Sequence, residues 1–366
     1  VFSGCSTLPA AGDKTSSQAL APALSGPLSE SAAAIGDQLQ DDESAFLLIP
    51  AADEAMHWRV AMIDSATSAI DAQYFIWKGD PSGSLVLEHL MAAADHGVRV
   101  RLLVDDMFLS TNGAFEGSDP SLAAIDHHPN IELRLFNPGK YRNGIMGLAG
   151  NFGGNLRQYN RRMHNKLVIF DGHFSILGGR NIGDEYFGLY EGHNFLDLDV
   201  MVAGAVSGQI SEAFDAYWNS ELSYPGESLV ASSDEEMAAM RAENTEFVAE
   251  HTEILASYLA DQQDWTDRIA SLQTKMVPGF AAFLQDEPIN RGGVEYRLYS
   301  MLDDIASGSG EDFIISTPYL IPVGPFLQHL SEDVSEGVKV RILTNSLASN
   351  DATAAHSPYK KYRRDR

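Results

Sequence analysis

Cysteine occurs once in the 366 residues, at Cys5, so no disulfide can form within the chain. Basic residues are scarce: 25 lysines and arginines face 51 aspartates and glutamates, for a formal net charge of −26. A field of that sign repels phosphate backbones, so no nucleic-acid partner is expected beyond what a local basic rim could hold. No uninterrupted apolar run approaches the roughly 20 residues that a membrane-spanning helix needs. No His, Cys or Asp cluster has ligand spacing, and neither a metal nor another cofactor is expected. What remains is a chain with 44% hydrophobic residues, an ordinary globular allowance, and length enough for two domains.

Residues 161–181 read R-R-M-H-N-K-L-V-I-F-D-G-H-F-S-I-L-G-G-R-N. Two short apolar runs, 167–170 and 174–177, are closed by Asp171-Gly172 and by Gly178-Gly179, which predicts two adjacent strands. Residues two apart on a strand share a face, so His164 and Lys166 are expected to point the same way. That pairing suits phosphoryl chemistry. A neutral imidazole can attack phosphorus while a fixed cation and an amide steady the charge on the equatorial oxygens, and Lys166 and Asn181 are the candidate stabilisers. Arg157, Arg161 and Arg162 form a basic rim beside Lys166.

The spacing H-x-K-x4-D at His164, Lys166 and Asp171, followed by G-G-x-N at Gly178, Gly179 and Asn181, resembles the signature of the phospholipase D superfamily. Gly179 stands where that signature usually has serine, so a serine contact to phosphate is not carried over. D-A-Q-Y-F-I-W-K-G-D-P-S-G at 71–83 and G-G-R-N-I-G-D-E-Y-F at 178–187 are most similar to the bacterial cardiolipin synthase branch. The resemblance covers roughly residues 46–366. It implies an α/β fold with a mostly parallel sheet flanked by helices, and a phosphatidyltransferase working through a phosphohistidine on His164. It implies a catalytic set of His164, Lys166, Asp171, Asn181 and Asp197, the last holding the second ring nitrogen, with Asp199 or Glu185 as substitutes. Gly178, Gly179, Arg162 and Tyr74 are the implied substrate-binding residues. Phospholipid substrates and a membrane surface are the implied partners. Phe75, Trp77, Phe108, Tyr319 and Leu320, at expected strand ends, are where lipid chains could lie. A phosphodiesterase or nuclease of the same superfamily, or a catalytically dead membrane-tethered binding module, stay open as alternatives, as does the oligomeric state.

Along the chain, residues 1–45 are rich in Ala, Ser, Gly and Pro without apolar periodicity and are expected to form a flexible tether. V-F-S-G-C-S at its start resembles the end of a bacterial lipoprotein signal, which would put a lipid on Cys5 and the protein in the cell envelope. An incidental cysteine is the alternative. Residues 46–225 are expected to form a first phospholipase D-like domain. In it, helices over 56–70, 84–96 and from 211 onward alternate with strands over 72–77, 98–104, 131–136 and 195–202. Gly144, Gly147, Gly150, Gly153 and Gly154 mark a loop that could cover substrate. Residues 226–290 are expected to be an acidic helical linker, and 291–366 a partial second domain.

The chain repeats itself. Residues 71–77, a helix and G-V-R-V-R-L-L-V-D-D at 97–106 match 313–321, a helix and G-V-K-V-R-I-L-T-N-S at 337–346. His164 lies 67 residues beyond Gly97, and Gly337 plus 67 gives 404, beyond Arg366, so one and a half copies are expected, a C-terminally incomplete pattern. His356 and Lys360, spaced H-x3-K, do not replace a second motif. In the resembled family two such motifs meet, and the second histidine protonates the departing alcohol.

Overall fold

Three of the apolar runs become neighbouring parallel strands, β2 (Ala69–Tyr74), β3 (Arg99–Asp105) and β4 (Ile131–Phe136). All six residues of β2 are buried, because helices cover one face of the sheet and further chain covers the other. The computed structural model describes residues 14–106, 124–139, 161–229, 231–259, 264–288, 298, 304, 311–320 and 324–349. They fall into two compact units, 1–283 with 287–293, and 284–286 with 294–366.

In the first unit β1 (Ser44–Ile49), β5 (Leu167–Phe170), β6 (Phe174–Gly178), β7 (Asp199–Gly204), β8 (Ser223–Pro225) and β9 (Val277–Gly279) complete one nine-stranded sheet. Its order is β8-β4-β3-β2-β5-β6-β7-β1-β9. The fold is α/β with helices on a large sheet. Parallel pairing is confined to β2-β3-β4, however, and every other pair is antiparallel, which makes the sheet mixed. The cause lies in the connections. The tight turn Asp171-Gly172-His173, with φ of +51° and +70° at its first two residues, joins β5 to β6 antiparallel, whereas the connection from β2 to β3 contains a long helix and returns parallel.

Helices α2 (Ala52–Ser65) and α3 (Pro81–Asp95) press Met56, Val60, Ile63, Leu87 and Leu90 onto one face. The short α4 (Asp184–Phe187) follows β6, and α5 (Ser207–Trp218) sets Ile210, Phe214 and Trp218 against Leu103, Leu167 and Ile169 on the other face.

Two expectations are corrected here. From Lys14 onward the N-terminal stretch is not a free tether. The Asp215 carboxylate accepts from Ala19 N at 2.9 Å, Trp218 Nε1 donates to Ser17 Oγ at 2.8 Å, and Arg99 and Arg101 donate to the carbonyls of Gln18 and Ser17. Helix α1 (Pro27–Gly36) then buries Leu28 and Ile35. Backbone groups rather than apolar side chains anchor residues 14–23, which is why composition hid them.

The acidic stretch beyond 226 is also docked rather than a linker. Helix α6 (Asp234–Glu250) opens on an N-cap, Ser233, whose Oγ accepts from Glu236 N while that hydroxyl donates to the Glu236 carboxylate. It lies on α3 through Arg241 with Asp95 and Asn244 Nδ2 with Ser84 O, and α7 (Thr252–Leu259) buries Leu255 and Tyr258. In the second unit β10 (Asp312–Ser316), α8 (Gly324–Ser335) and β11 (Lys339–Leu343) form a parallel strand-helix-strand. It repeats β2-α3-β3 down to the left-handed glycine before the second strand, Gly97 at φ +91° and Gly337 at φ +97°.

Candidate active site

The residues ahead of β5 are shaped by Asp105, the last residue of β3. Its fully buried carboxylate accepts from Met163 N at 2.8 Å and pairs with the Arg162 guanidinium at 3.0 Å. Asn137 adds a second clamp, since its Nδ2 donates to Arg161 O at 2.8 Å and its carbonyl accepts from Arg162 Nη2 at 3.1 Å. Arg162 is thus spent on holding the segment, and the structure does not leave it as a separate substrate clamp. The buried ion pair stands because every charge in it has a hydrogen-bonded partner.

This clamp delivers His164 to the end of the sheet, exposed at the residue level, with Lys166 buried behind it. Residues 161–166 are not strand, so the shared side of the two groups comes from Lys166 folding back. Its Nζ donates to His164 O at 2.7 Å and lies 3.2 Å from His164 Nδ1. Partial desolvation and then the neighbouring ammonium lower the imidazole pKa to about 4. The ring is therefore neutral at pH 7, the form that carries a nucleophilic lone pair. Burial also lowers Lys166, to about 8, against the pull of Asp197 first and Asp105 second.

Asp197 lies in the loop before β7, not within a strand. Its carboxylate does not bond the His164 ring. Among the described residues the ring's hydrogen-bonding partner is Lys166, and Asp197 reaches the histidine only through that ammonium. Burial raises the Asp197 pKa, with Asp199 adding to the rise and Arg180 and Lys166 opposing it. The two substitutes are committed elsewhere. Asp199 is fully buried between Arg59 at 2.9 Å and Arg180 at 3.5 Å, and Glu185 pairs with Lys78 at 2.5 Å.

Gly178 and Gly179 make room for these acids. A Cβ at Gly178 would overlap Asp199, and one at Gly179 would overlap the Asp197 carboxylate. Asn181 is buried and doubly bonded, its Oδ1 accepting from Ile76 N at 3.0 Å and its Nδ2 donating to Tyr186 Oη at 2.8 Å.

Asp171 and Tyr74 leave the site altogether. Asp171 sits at the far end of β5, where its carboxylate accepts from Thr67 N, Thr67 Oγ1, Ser68 N and Ala69 N at 2.7–3.0 Å. It is a clamp on the start of β2. Tyr74 is buried on the helix-covered face, where its hydroxyl accepts from Arg59 Nε at 3.2 Å. Trp77 is buried beside it, so it offers no surface to a lipid chain, while Tyr319 and Leu320 belong to the second unit. Cys5, Phe108, Arg157 and the glycine-rich loop lie outside the described residues.

The aromatic neighbour of the histidine is Phe75, whose ring centroid is 4.7 Å from that of the imidazole. The alternation of side chains along β2 carries the signal, since Phe75 and Tyr74 must face opposite ways.

Residues 60–218 carry a domain of the phospholipase D superfamily. Residues 60–218 match the family described as cardiolipin synthase, PLD-like domain, and within the superfamily the chain is cardiolipin synthase-like. Over 318 residues it is 35% identical to cardiolipin synthase C of Escherichia coli (strain K12), a match covering 85% of this chain and 64% of that protein. An uncharacterized protein of Helicobacter pylori (strain ATCC 700392 / 26695) is 32% identical over 334 residues, covering 88% and 63%. The chain thus spans just under two thirds of these relatives. The crystal structure of phosphatidylserine synthase from Haemophilus influenzae Rd KW20 shares the fold, with a TM-score of 0.55 over 92% of this chain and 73% of that one at 14% identity.

Proposed function

We propose that the chain moves a phosphatidyl group from one phospholipid to the alcohol of another, as a cardiolipin synthase does. The neutral imidazole of His164 beside the Lys166 ammonium carries this reading. The imidazole lone pair forms a nitrogen–phosphorus bond as the bond from phosphorus to the departing alcohol breaks. Lys166 offsets charge on the phosphoryl oxygens, and its partial burial strengthens that attraction. The departing oxygen takes a proton from an acid that the superfamily resemblance assigns to a second motif. The incoming lipid alcohol then attacks the phosphohistidine, gives up its proton and restores the free ring.

The reading includes a membrane surface as workplace, in the cell envelope, with acylation of Cys5 as the tether. No helix among the described residues is long and apolar enough to cross a bilayer.

The test is incubation of the chain with phosphatidylglycerol vesicles, followed by lipid analysis and mass spectrometry of the peptide carrying His164. Cardiolipin and a phosphohistidine that vanish together in His164→Ala are expected. Phosphatidic acid without cardiolipin would replace transfer by hydrolysis, and lipid left unchanged with no adduct would reject the enzymatic reading.

A further inference from the structure

Phe75 directly follows β2 and touches both reacting groups. Its ring is tilted 56° to the His164 imidazole at 4.7 Å, and Lys166 Nζ stands 5.4 Å from the centroid of the same ring. An aromatic face at that distance attracts an ammonium, so one side chain supports the nucleophile and the cation together. The imidazole against it loses rotational freedom and hydration on one side, and both effects favour a single, neutral orientation.

The direction of Phe75 is in turn set by the next residue. Ile76 N donates to Asn181 Oδ1 at 3.0 Å, and Ile182 N donates to Ile76 O at 3.2 Å. Lys78 N donates to Ile182 O at 3.0 Å. Residues 76–78 are thereby stitched to 181–182, with the Asn181 amide closing the seam nearest Phe75. Both polar atoms of that amide have protein partners, the Ile76 N–H and the Tyr186 hydroxyl, and the two together fix its orientation.

We propose that Phe75 is the positioning residue of His164, and that Asn181 acts on the imidazole through Ile76 and Phe75 rather than by touching the substrate. The inference rests on His164 being the nucleophile of the proposed transfer. The charged groups around this pair among the described residues are Lys166 on its own segment, Asp105 from β3 and Asp197 from the loop before β7.

The experiment is an NMR titration of the His164 ring in the full chain, its signal assigned by its loss in His164→Gln. Phe75→Leu, Phe75→Tyr, Asn181→Ala and the Phe75→Leu/Asn181→Ala double variant are compared at matched thermal stability. Phe75→Leu is expected to raise the midpoint by about one pH unit, a tenfold change in proton affinity. Phe75→Tyr restores it, Asn181→Ala shifts it the same way, and the double variant shifts no further. In a lipid assay Phe75→Leu lowers kcat about 10- to 100-fold with KM changed little. An unmoved midpoint in Phe75→Leu overturns the proposal. So does Asn181→Ala losing activity with the ring titrating as in the wild type, or shifts that simply add in the double variant. The titration reports on the ring without turnover. Expected shifts in a chain that transforms no lipid therefore sink the lipid reading and leave the positioning intact.

Discussion

The carboxylate of Asp197 occupies the space that a side chain at Gly179 would need. The signature position that usually holds serine is, in this chain, the seat of an acid that acts on Lys166. Gly179→Ala or Gly179→Ser must therefore swing Asp197 aside. Only the end of one side chain has to move, so the unfolding free energy should change by no more than about 1 kcal/mol. The ammonium, however, loses the first of the two charges that raise its pKa, which then falls further below about 8. We predict an alkaline limb displaced downward and a roughly tenfold loss of activity at pH 8, read from a pH–rate profile.

The wild-type profile follows from the same pair. Falling pH protonates His164 with a midpoint near 4 and removes the nucleophile, while rising pH neutralises Lys166 with a midpoint near 8 and removes the cation. A bell with a broad neutral plateau is expected for kcat/KM. Lys166→Arg should lose the alkaline limb, because a guanidinium stays charged throughout. An acid limb at the ordinary histidine value of 6.5 would mean that the imidazole is not held neutral by its surroundings.

Much of this was legible before any coordinates. The apolar runs at 98–104 and 131–136 lie within a residue of the observed β3 and β4, and the match of Gly97 to Gly337 anticipated the repeated strand-helix-strand. What failed did so for local reasons. Motif spacing brought Asp171 into the site, but spacing carries no direction, and four residues of β5 separate it from Lys166. Tyr74 and Phe75 are both expected near substrate, although strand parity puts only one of two successive residues on the histidine's side. The resemblance implies Asp197 as the partner of the second ring nitrogen, and no pattern in one chain reveals that Lys166 folds back to place its ammonium 3.2 Å from His164 Nδ1.

Asp171 makes a clean separation between architecture and chemistry. Its carboxylate receives four hydrogen bonds from residues 67–69, at a residue only 1% exposed. Asp171→Ala leaves three backbone donors without their partner, that of Ala69 buried and those of Thr67 and Ser68 partly so, and frees the register of β2. A loss of about 3 kcal/mol in unfolding free energy is expected by denaturant titration. Specific activity per folded molecule should fall less than threefold, roughly the scatter of context effects away from the reacting groups. Activity collapsing in a fully folded Asp171→Ala chain would return this residue to the catalytic set.

Asp105 joins both roles, and a double-variant cycle can divide them. Asp105→Asn leaves the Arg162 guanidinium, 9% exposed, without its counter-charge. Breaking a buried pair from one side costs about 3–5 kcal/mol, whereas replacing both partners by apolar groups costs far less. Arg162→Met added to Asp105→Asn should therefore recover part of the stability lost in Asp105→Asn alone. Activity should not recover with it, since Met163 N and the turn into His164 depend on the same carboxylate at 2.8 Å. A displacement of the imidazole by about 1 Å costs on the order of 100-fold in rate, so stability and turnover should part company in the double variant. If the two rise together, Asp105 holds the fold alone, and the aim of His164 is set by the residues around it.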